Sequence, residues 1–266
     1  MSIITLTTDF GLGDWFAGAM KGVILGIQPR AAIVDITHEI LAGDIRSGAF
    51  ALAASFRFFP KQTIHVAVVD PGVGSGRSSI AVQTKDYFFV GPDNGLLSLA
   101  LAEECVESMH RLENTKLLAA SISNTFHGRD VFAPAAAYLS KGTSLSKMGR
   151  ALTHYQKLSW PIPLLDKSGL RGEVIYIDRF GNAITNIGKE HLGTLDVAAL
   201  KIAVAGNKTP FGFGQFYQEV AFGRPLGLIG SNGFLEIAIN GGNAAKKLGL
   251  NVGDSVSIRP EVQSRG

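Results

Sequence analysis

The N-terminal half of the chain alternates short apolar segments of strand character with segments whose apolar residues recur at helical spacing. Such alternation favours a mostly parallel sheet with helices on both faces, because parallel strands need long crossover connections. The predicted strands are Ile3–Thr7, Ala32–Ile36, Thr63–Val69, Ser79–Gln83 and Tyr87–Val90. The predicted helices are Trp15–Ile27 with Asp14 as its N-cap, Asp44–Phe58, Leu96–Glu104 and Val131–Leu139. We therefore predict the α/β fold class for this half.

The pattern changes near residue 160. The segment Trp160–Gly169 carries two prolines and neither period, so we predict a linker there. The short strands predicted after it are Gly172–Asp178, Ala183–Ile187, Leu200–Ala205, Pro225–Ile229, Gly233–Ile239 and Ser255–Arg259, with one helix at Ala244–Leu248. Short strands separated by glycine turns are typical of a small sandwich or barrel. The chain is thus predicted to have an N-terminal α/β sandwich domain, residues 1–160, and a smaller C-terminal β-barrel-like domain, residues 170–266.

Polar residues follow several of the predicted strands, where ligands of such sheets bind. Asp9 follows the first strand, and Asp93-Asn94 follows a later one. Asp70 begins a loop of three glycines and one proline that ends at Arg77, so the carboxylate and the guanidinium can approach each other. An ion-paired turn and a chemical site are both consistent with this loop. His127 precedes a predicted helix, where a histidine serves either as a structural hydrogen-bonding residue or as a catalyst.

Composition and motifs exclude several classes of function. The net charge of +3 comes without a long basic run, so we expect no nucleic-acid partner. The chain has neither a glycine-lysine phosphate loop nor an H-E-x-x-H motif, its histidines are scattered, and we expect no metal and no cofactor. The only cysteine, Cys105, rules out an intramolecular disulfide and is expected to be buried or half-buried. Without a leader or a long apolar stretch, we expect a cytoplasmic protein and no membrane.

The remaining polar residues form one candidate set: Asp9, Asp70, Arg77, Asp93, Asn94, His127, Asp178 and Asn182. An aspartate that accepts a hydrogen bond from a water, with an arginine and a histidine that orient it, makes a water nucleophile without a metal. Hydrolysis is the reaction that this combination suggests.

Six segments together resemble the S-adenosyl-L-methionine (SAM) hydrolases, also called SAM hydroxide adenosyltransferases, which are related to the fluorinase and the chlorinase. These segments are Leu6-Thr7-Thr8-Asp9-Phe10-Gly11, Val69-Asp70-Pro71-Gly72-Val73-Gly74 with Arg77, Gly91-Pro92-Asp93-Asn94-Gly95-Leu96-Leu97, Thr125-Phe126-His127-Gly128-Arg129-Asp130, Asp178-Arg179-Phe180-Gly181-Asn182 and Gly230-Ser231-Asn232-Gly233-Phe234-Leu235-Glu236-Ile237-Ala238. They occur in the family's order. The resemblance implies an α/β domain, a β-barrel-like domain and a homotrimer with its active sites at subunit interfaces.

The resemblance also implies a reaction and a set of catalytic residues. Water displaces methionine from the C5′ carbon of SAM, which gives adenosine and L-methionine. Asp70 corresponds to the residue that accepts hydrogen bonds from the water and the ribose. Arg77 and His127 correspond to residues that orient or polarise the water. A sulfonium is already a good leaving group, so only the nucleophile needs activation.

The substrate-binding residues implied by the resemblance are spread over both halves. Asp9 corresponds to the ribose ligand, and Thr125 and Phe126 lie beside the nucleoside. The C-terminal half contributes Asp178 for the methionine ammonium, Asn182 for adenine, Tyr217 as an aromatic that stacks on adenine, and Ser231 and Glu236 in the last motif. An exposed tyrosine at the edge of the core is the alternative for Tyr217.

Two positions separate this chain from the halogenases. Those enzymes carry Tyr where this chain has Asp70 and Trp where it has Gly43, and their halide pocket is apolar. An aspartate repels a halide and suits a water. A SAM hydrolase is therefore predicted, with a non-catalytic sensor of adenosine or SAM, or a SAM-dependent halogenase, as the alternatives.

Overall fold

The computed structural model describes residues 2–167, 169–193, 199–205 and 209–260. The chain divides into two compact units, and the division falls between Leu158 and Ser159. The strands of the first unit are β1 (Ile3–Thr8), β2 (Ala32–Thr37), β3 (Ile64–Val68), β4 (Ser79–Thr84), β5 (Phe88–Pro92) and β6 (Val106–Arg111). Its α-helices are α1 (Phe16–Ile27), α2 (Ile45–Ala53), α3 (Ser98–Ala102) and α4 (Ala133–Ser140).

The first unit is an α/β sandwich, as predicted. Its sheet has the order β2-β1-β3-β5-β4-β6, in which the first four strands are parallel and β4 runs antiparallel to both neighbours. Successive side chains of β3, and that of the residue after it, point to opposite faces of the sheet, since side chains alternate across a strand. Val66 and Val68 pack with residues of α1 and α4, whereas Ala67 and Val69 pack with residues of α2 and α3. Because β1 and β3 pair in parallel, their carboxyl ends are adjacent at one edge of the sheet.

Strand β6 was not predicted, and three further local predictions in this unit are wrong. Helix α1 begins at Phe16 with Trp15 as its N-cap, so the predicted cap at Asp14 is wrong because the preceding turn extends one residue further. Helix α2 ends at Ala53, since the Ser55 hydroxyl donates to the carbonyl oxygens of Ala51 and Leu52, and a 3-10 turn follows. Cys105 is exposed, because it lies in the turn before the edge strand β6.

The second unit is an antiparallel, nearly closed barrel, which confirms the predicted class. Its strands are β7 (Leu164–Asp166), β8 (Gly169–Ile177), β9 (Ala183–Gly188), β10 (Leu200–Val204), β11 (Pro225–Ile229), β12 (Phe234–Ile239) and β13 (Ser255–Pro260), with helices α5 (Lys189–Leu192) and α6 (Ala244–Leu248). The order is β10-β13-β8-β9-β12-β11. Phe211 bridges to Ile202 of β10 and Phe213 bridges to Gly227 of β11, so this segment joins the two ends of the sheet.

Strand β7 lies inside the segment that was predicted to have no regular structure. It pairs with the start of β8, Leu164 opposite Arg171, and all three of its residues are exposed. A short edge strand of this kind has no buried face, so it leaves no apolar period in the sequence. In the part of the chain that the structure describes, no helix combines the length and the apolar character needed to span a bilayer.

Candidate active site

The loop after β3 places an aspartate and an arginine side by side. The Arg77 Nε atom donates to Asp70 Oδ1 at 2.8 Å, and Nη2 donates to Asp70 Oδ2, so the pair is bidentate. Both side chains are largely buried, with 10% of Arg77 and 5% of Asp70 exposed. Gly74, at φ +78°, lets the loop pack against Asn124, whose carbonyl oxygen would collide with a Cβ there. The Asp70–Arg77 pair therefore joins the two ends of the loop, and Gly74 packs its middle against Asn124.

Arg77 also contacts His127, and this contact determines where the imidazole carries its proton. The Arg77 Nη2 atom lies 2.8 Å from His127 Nδ1. A guanidinium has no acceptor atom, so Nδ1 must accept and the ring proton lies on Nε2. Burial and the Arg77 charge lower the pKa of His127, which favours the neutral ring. His127 is thus a neutral imidazole whose Nε2–H is free to donate.

Two further contacts hold the Arg77 guanidinium. Its Nη1 atom donates to Ser79 Oγ at 2.6 Å, and its carbon lies 5.4 Å from the centre of the Phe132 ring. These contacts, with Asp70 and His127, surround the guanidinium on several sides. The three predicted catalytic residues therefore form one connected cluster.

His127 lies just before a short π-helix, Gly128–Phe132, which continues directly into α4. A Cβ at Gly128 would lie 3.0 to 3.3 Å from Phe126, Met20 and Phe10, so a glycine lets this turn approach α1 closely. Asp130 is buried and accepts hydrogen bonds from the Ser123 amide at 2.8 Å and from Arg129 Nε at 2.6 Å. Burial alone would raise the pKa of Asp130, but these two contacts lower it. An ionised carboxylate therefore anchors the turn that carries His127.

The cluster borders a cavity of about 510 Å³ at the carboxyl ends of β1 and β3. This volume lies in the range of small-molecule sites. The cavity is lined by Asp9, Phe10, Phe16, Ala42, Gly43, Val68, Asp70, Pro71, Val73, Thr125, Phe126, His127 and Gly128. Arg77 lies behind Asp70 and does not line it. Carboxylates, an imidazole and aromatic rings thus line the same cavity.

Asp9 directly follows β1, and its Oδ2 atom accepts a hydrogen bond from the Gly43 amide at 2.8 Å. Phe126 packs edge-on against Phe10 and Phe16, with ring centres 5.7 and 5.0 Å apart. The five candidate residues Asp9, Asp70, Thr125, Phe126 and His127 accordingly share this cavity.

A larger depression of about 650 Å³ lies at the amino ends of β1 and β3, lined by residues such as Ser2, Gln28, Arg30 and Lys61. It contains none of the candidate residues. Size alone would select the other end of the sheet. The convergence of polar groups makes the smaller cavity the candidate functional site.

Asp93 and Asn94 do not belong to the cavity, although they follow a strand of the same sheet. The Asn94 side chain donates to the Val69 carbonyl at 2.9 Å, and Asp93 Oδ1 accepts from the Gln156 amide at 2.7 Å. Both side chains therefore satisfy backbone groups and support the fold.

Four of the five predicted residues of the second unit form two hydrogen-bonded pairs. Asn182 Nδ2 donates to Asp178 Oδ2 at 3.0 Å, and its amide donates to Oδ1 at 2.8 Å. Tyr217 Oη donates to Glu236 Oε1 at 2.7 Å. Burial, the Glu236 hydrogen bond and the Asp178 charge raise the pKa of Tyr217 to about 12.

The two pairs influence each other electrostatically. Burial, and then the Asp178 charge, raise the pKa of Glu236 despite its hydrogen bond from Tyr217. Tyr217 is 44% exposed. Ser231 lies exposed in the turn between β11 and β12.

Two residues that line or support the cavity were not predicted as binding residues, although Gly43 was one of the positions that separate this chain from the halogenases. Gly43 binds Asp9 through its amide, and His38 binds the Thr8 hydroxyl next to Asp9. The signal for Gly43 was its position just before a predicted helix start, and the signal for His38 was its position just after a strand. Within the described residues, no three His, Cys, Asp or Glu side chains cluster as metal ligands. That no cofactor takes part stays a prediction.

An α/β unit in which aspartates at adjacent strand ends lie near a guanidinium and a neutral imidazole, beside aromatic side chains, is typical of a protein that binds a small organic molecule. Comparison with known proteins is more specific. The model of the SAM hydroxide adenosyltransferase N-terminal domain matches residues 4–149, and that of the C-terminal domain matches residues 172–257. The chain belongs to the SAM hydroxide adenosyltransferase family, which confirms the resemblance seen in its motifs.

Individual relatives agree with this assignment. The chain is 38% identical over 258 residues to the (R)-S-adenosyl-L-methionine hydrolase of Salinispora tropica, covering 96% of this chain and 97% of the relative. It is 35% identical to the hydrolase of the same name from Thermus thermophilus, covering 97% and 100%. A fluorinase of Actinoplanes sp. is 28% identical, covering 96% and 97%. A crystal structure of a conserved protein from Thermotoga maritima superposes with a TM-score of 0.89 at 38% identity, covering 96% and 99%.

Proposed function

We propose that this protein is an (R)-S-adenosyl-L-methionine hydrolase, which releases adenosine and L-methionine. The observation that carries the proposal is the connected cluster of Asp70, Arg77 and His127 beside a cavity that also contains Asp9. Full-length relatives of that name at 35 to 38% identity support the substrate and the epimer, whereas the fluorinase relative is less similar.

In the proposed reaction, a water attacks C5′ and the C5′–S bond breaks, with its electron pair remaining on the methionine sulfur. The water loses a proton to Asp70, from which the proton passes to solvent. A carboxylate has about four lone-pair sites, and Arg77 occupies two of those on Asp70. The remaining sites accept hydrogen bonds from the water and from a ribose hydroxyl.

His127 acts as a donor in this mechanism. Because Nδ1 accepts from Arg77, its Nε2–H is the polar group left to orient the water or a substrate oxygen. Arg77 fixes the Asp70 carboxylate and the His127 ring from behind the cavity wall. Its role is to place both groups before the substrate arrives, which is how preorganised polar groups lower a barrier.

Substrate recognition completes the proposal. Asp9 binds the ribose, and Thr125 and Phe126 contact the nucleoside. Asp178 binds the methionine ammonium, Asn182 and Tyr217 bind adenine, and Ser231 and Glu236 contribute further contacts. We also propose a homotrimer with sites at subunit interfaces and a cytoplasmic location. The trimer is tested by light scattering on the purified protein, for which we expect three times the mass of one chain.

The activity is tested with each sulfonium epimer of SAM separately. We expect the (R) epimer to give equimolar adenosine and methionine, and solvent oxygen-18 to enter the adenosine 5′-hydroxyl. Tight adenosine binding without turnover would instead establish a sensor. Formation of 5′-chloro-5′-deoxyadenosine in the presence of chloride would establish a halogenase.

A further inference from the structure

Two buried histidines contact strand β1 in the same way. His38 Nδ1 lies 2.8 Å from Thr8 Oγ1, and His65 Nδ1 lies 2.8 Å from Thr5 Oγ1. All four side chains belong to residues no more than 3% exposed. The two pairs differ in what they connect, and this difference separates a structural contact from one that serves the site.

The Thr5–His65 pair is buried in the core of the unit. Its ring lies among Phe56, Phe59, Tyr87 and Phe89, with ring centres 5.3 to 6.0 Å away. Burial lowers the pKa of His65 to about 3, so this ring is neutral at physiological pH. Thr5 lies in the middle of β1, where neither residue reaches the cavity.

In the Thr8–His38 pair, both side chains make further polar contacts. His38 Nε2 lies 3.1 Å from Asp35 Oδ1, an ion-pair distance without the alignment of a hydrogen bond. Asp35 Oδ2 accepts from Lys21 Nζ at 2.5 Å. His38 Nδ1 and the Thr8 hydroxyl form a hydrogen bond, and Thr8 Oγ1 accepts from the Phe10 amide at 3.3 Å. The His38 ring thus lies between the Asp35 carboxylate and the Thr8 hydroxyl.

His38 also holds the turn after β1 through its backbone. Its carbonyl oxygen accepts from the Gly11 amide at 2.7 Å. Thr8 precedes Asp9 in the chain, and Phe10 and Gly11 follow it. Residues on both sides of the cavity aspartate are therefore hydrogen-bonded to His38, directly or through Thr8. The β1–β2 ladder shifts register between Leu6 and Thr7, just before this point. Such irregularities re-aim side chains next to sites, and here side-chain bonds hold the strand end where the regular ladder is interrupted.

We propose that His38 is a positioning residue that, through Thr8 and Gly11, fixes the turn presenting the Asp9 carboxylate to the nucleoside ribose. This inference rests on the proposed function, which assigns the ribose to Asp9. Asp35 and Lys21 hold the His38 ring on the other side. A displaced Asp9 weakens nucleoside binding and leaves the reacting groups at Asp70 and His127 in place.

Four variants of the full-length protein test this role. Thr8→Val removes the hydroxyl at nearly constant shape. His38→Asn keeps a polar atom on Cγ, where Nδ1 is attached, whereas His38→Gln moves its amide one bond further out, towards the place of Nε2. Thr5→Val is the matched control, because it removes the same kind of buried Thr–His bond away from the cavity.

We expect Thr8→Val and His38→Gln to raise KM for (R)-SAM and Kd for adenosine about five- to tenfold, the effect of one lost hydrogen bond. Their kcat should stay within about threefold, since no reacting group is removed. His38→Asn should retain adenosine binding within about threefold. Thr5→Val should lower the melting temperature as much as Thr8→Val does and leave KM and Kd unchanged.

A purely structural role gives a different pattern, because fewer folded molecules lower the apparent kcat at constant KM. The inference is overturned if Thr8→Val binds adenosine like the unmodified protein, or if Thr5→Val weakens binding equally. Its failure is distinguishable from that of the proposed function. An unmodified protein that hydrolyses SAM while both threonine variants behave alike refutes the positioning role alone. An unmodified protein that neither turns over SAM nor binds adenosine refutes both.

Discussion

The polar clusters of the two units differ in their charge balance. In the first unit, Asp70 is paired with Arg77, and Arg77 also determines the tautomer of His127. In the second unit, the Asp178 charge helps to raise the pKa of Glu236, and among the described residues no lysine or arginine pairs with either carboxyl group. The first cluster is electrostatically complete before any ligand binds, and the second is not.

This difference suggests a division of labour. Groups that carry out chemistry work best when they are already placed and charge-balanced. Two carboxyl groups without a cation suit a positively charged ligand, and SAM carries both an ammonium and a sulfonium. We therefore expect substitutions in the first cluster to act on kcat and those in the second to act on binding.

The largest effect is expected for Asp70→Asn. The amide cannot take a proton from water, so kcat should fall about 10²- to 10⁴-fold, while Kd for adenosine changes much less. Single-turnover release of adenosine measures the first quantity and calorimetry the second. Asp93→Asn is the control, because its amide oxygen can still accept from the Gln156 amide. An Asp70→Asn protein with normal turnover would remove Asp70 from the mechanism.

The next effect is expected for His127→Asn. The amide oxygen can still accept from Arg77, but the Nε2–H is lost, so kcat should fall about 10²-fold. Burial and Arg77 lower the pKa of His127 below its ordinary 6.5, so the neutral form predominates at pH 7. Activity should accordingly be lost as the pH falls below 6.5, when the protonated ring can no longer accept from Arg77.

The pH profile of kcat/KM measures this loss. In His127→Asn, the part of the acid limb that comes from His127 should disappear from the residual activity. His110→Asn is a suitable control, since His110 Nδ1 contacts only the Gly149 carbonyl among its described hydrogen bonds, at 2.9 Å. An acid limb that persists unchanged in His127→Asn would show that another group controls it.

Asp178→Asn is expected to act on binding. Removing the charge should raise KM for SAM about 10- to 100-fold, the range of hydrogen bonds to charged groups. Adenosine lacks the ammonium, so its Kd should change about twofold or less. The ratio of the two effects is the measurement. If kcat falls and both affinities stay unchanged, the proposed division between the two clusters is wrong.

The smallest effect is expected for Tyr217→Phe. The ring that stacks on adenine remains, so Kd for adenosine should change about threefold or less even though Glu236 loses its hydrogen bond. Tyr217→Ala removes the ring and should weaken binding about tenfold, in the range measured for base stacking on aromatic side chains. Equal losses in both variants would assign the contribution to the hydroxyl.

The amino-acid sequence by itself determined the class of both units and much of the candidate site. The alternation of β-branched strands and helical periods predicted the parallel sheet, because burial on one or both faces of an element imposes its period. It also placed Asp9 and Asp70 after strands that prove to be neighbours, β1 and β3. Strand β6, with one buried residue, and the short β7, with none, were not predicted because they bury too little to show a period.

Only the tertiary structure decided which polar residues cooperate. Asp93 and Asn94 follow a strand just as Asp9 does, but their side chains satisfy backbone groups. Arg77 and His127 are fifty positions apart, and their contact assigns the histidine proton to Nε2. His38 and His65 each contact a threonine of β1, but their rings have different partners on the other side. Periodicity records which face of an element is buried, whereas the partner of a buried polar atom depends on packing between distant segments.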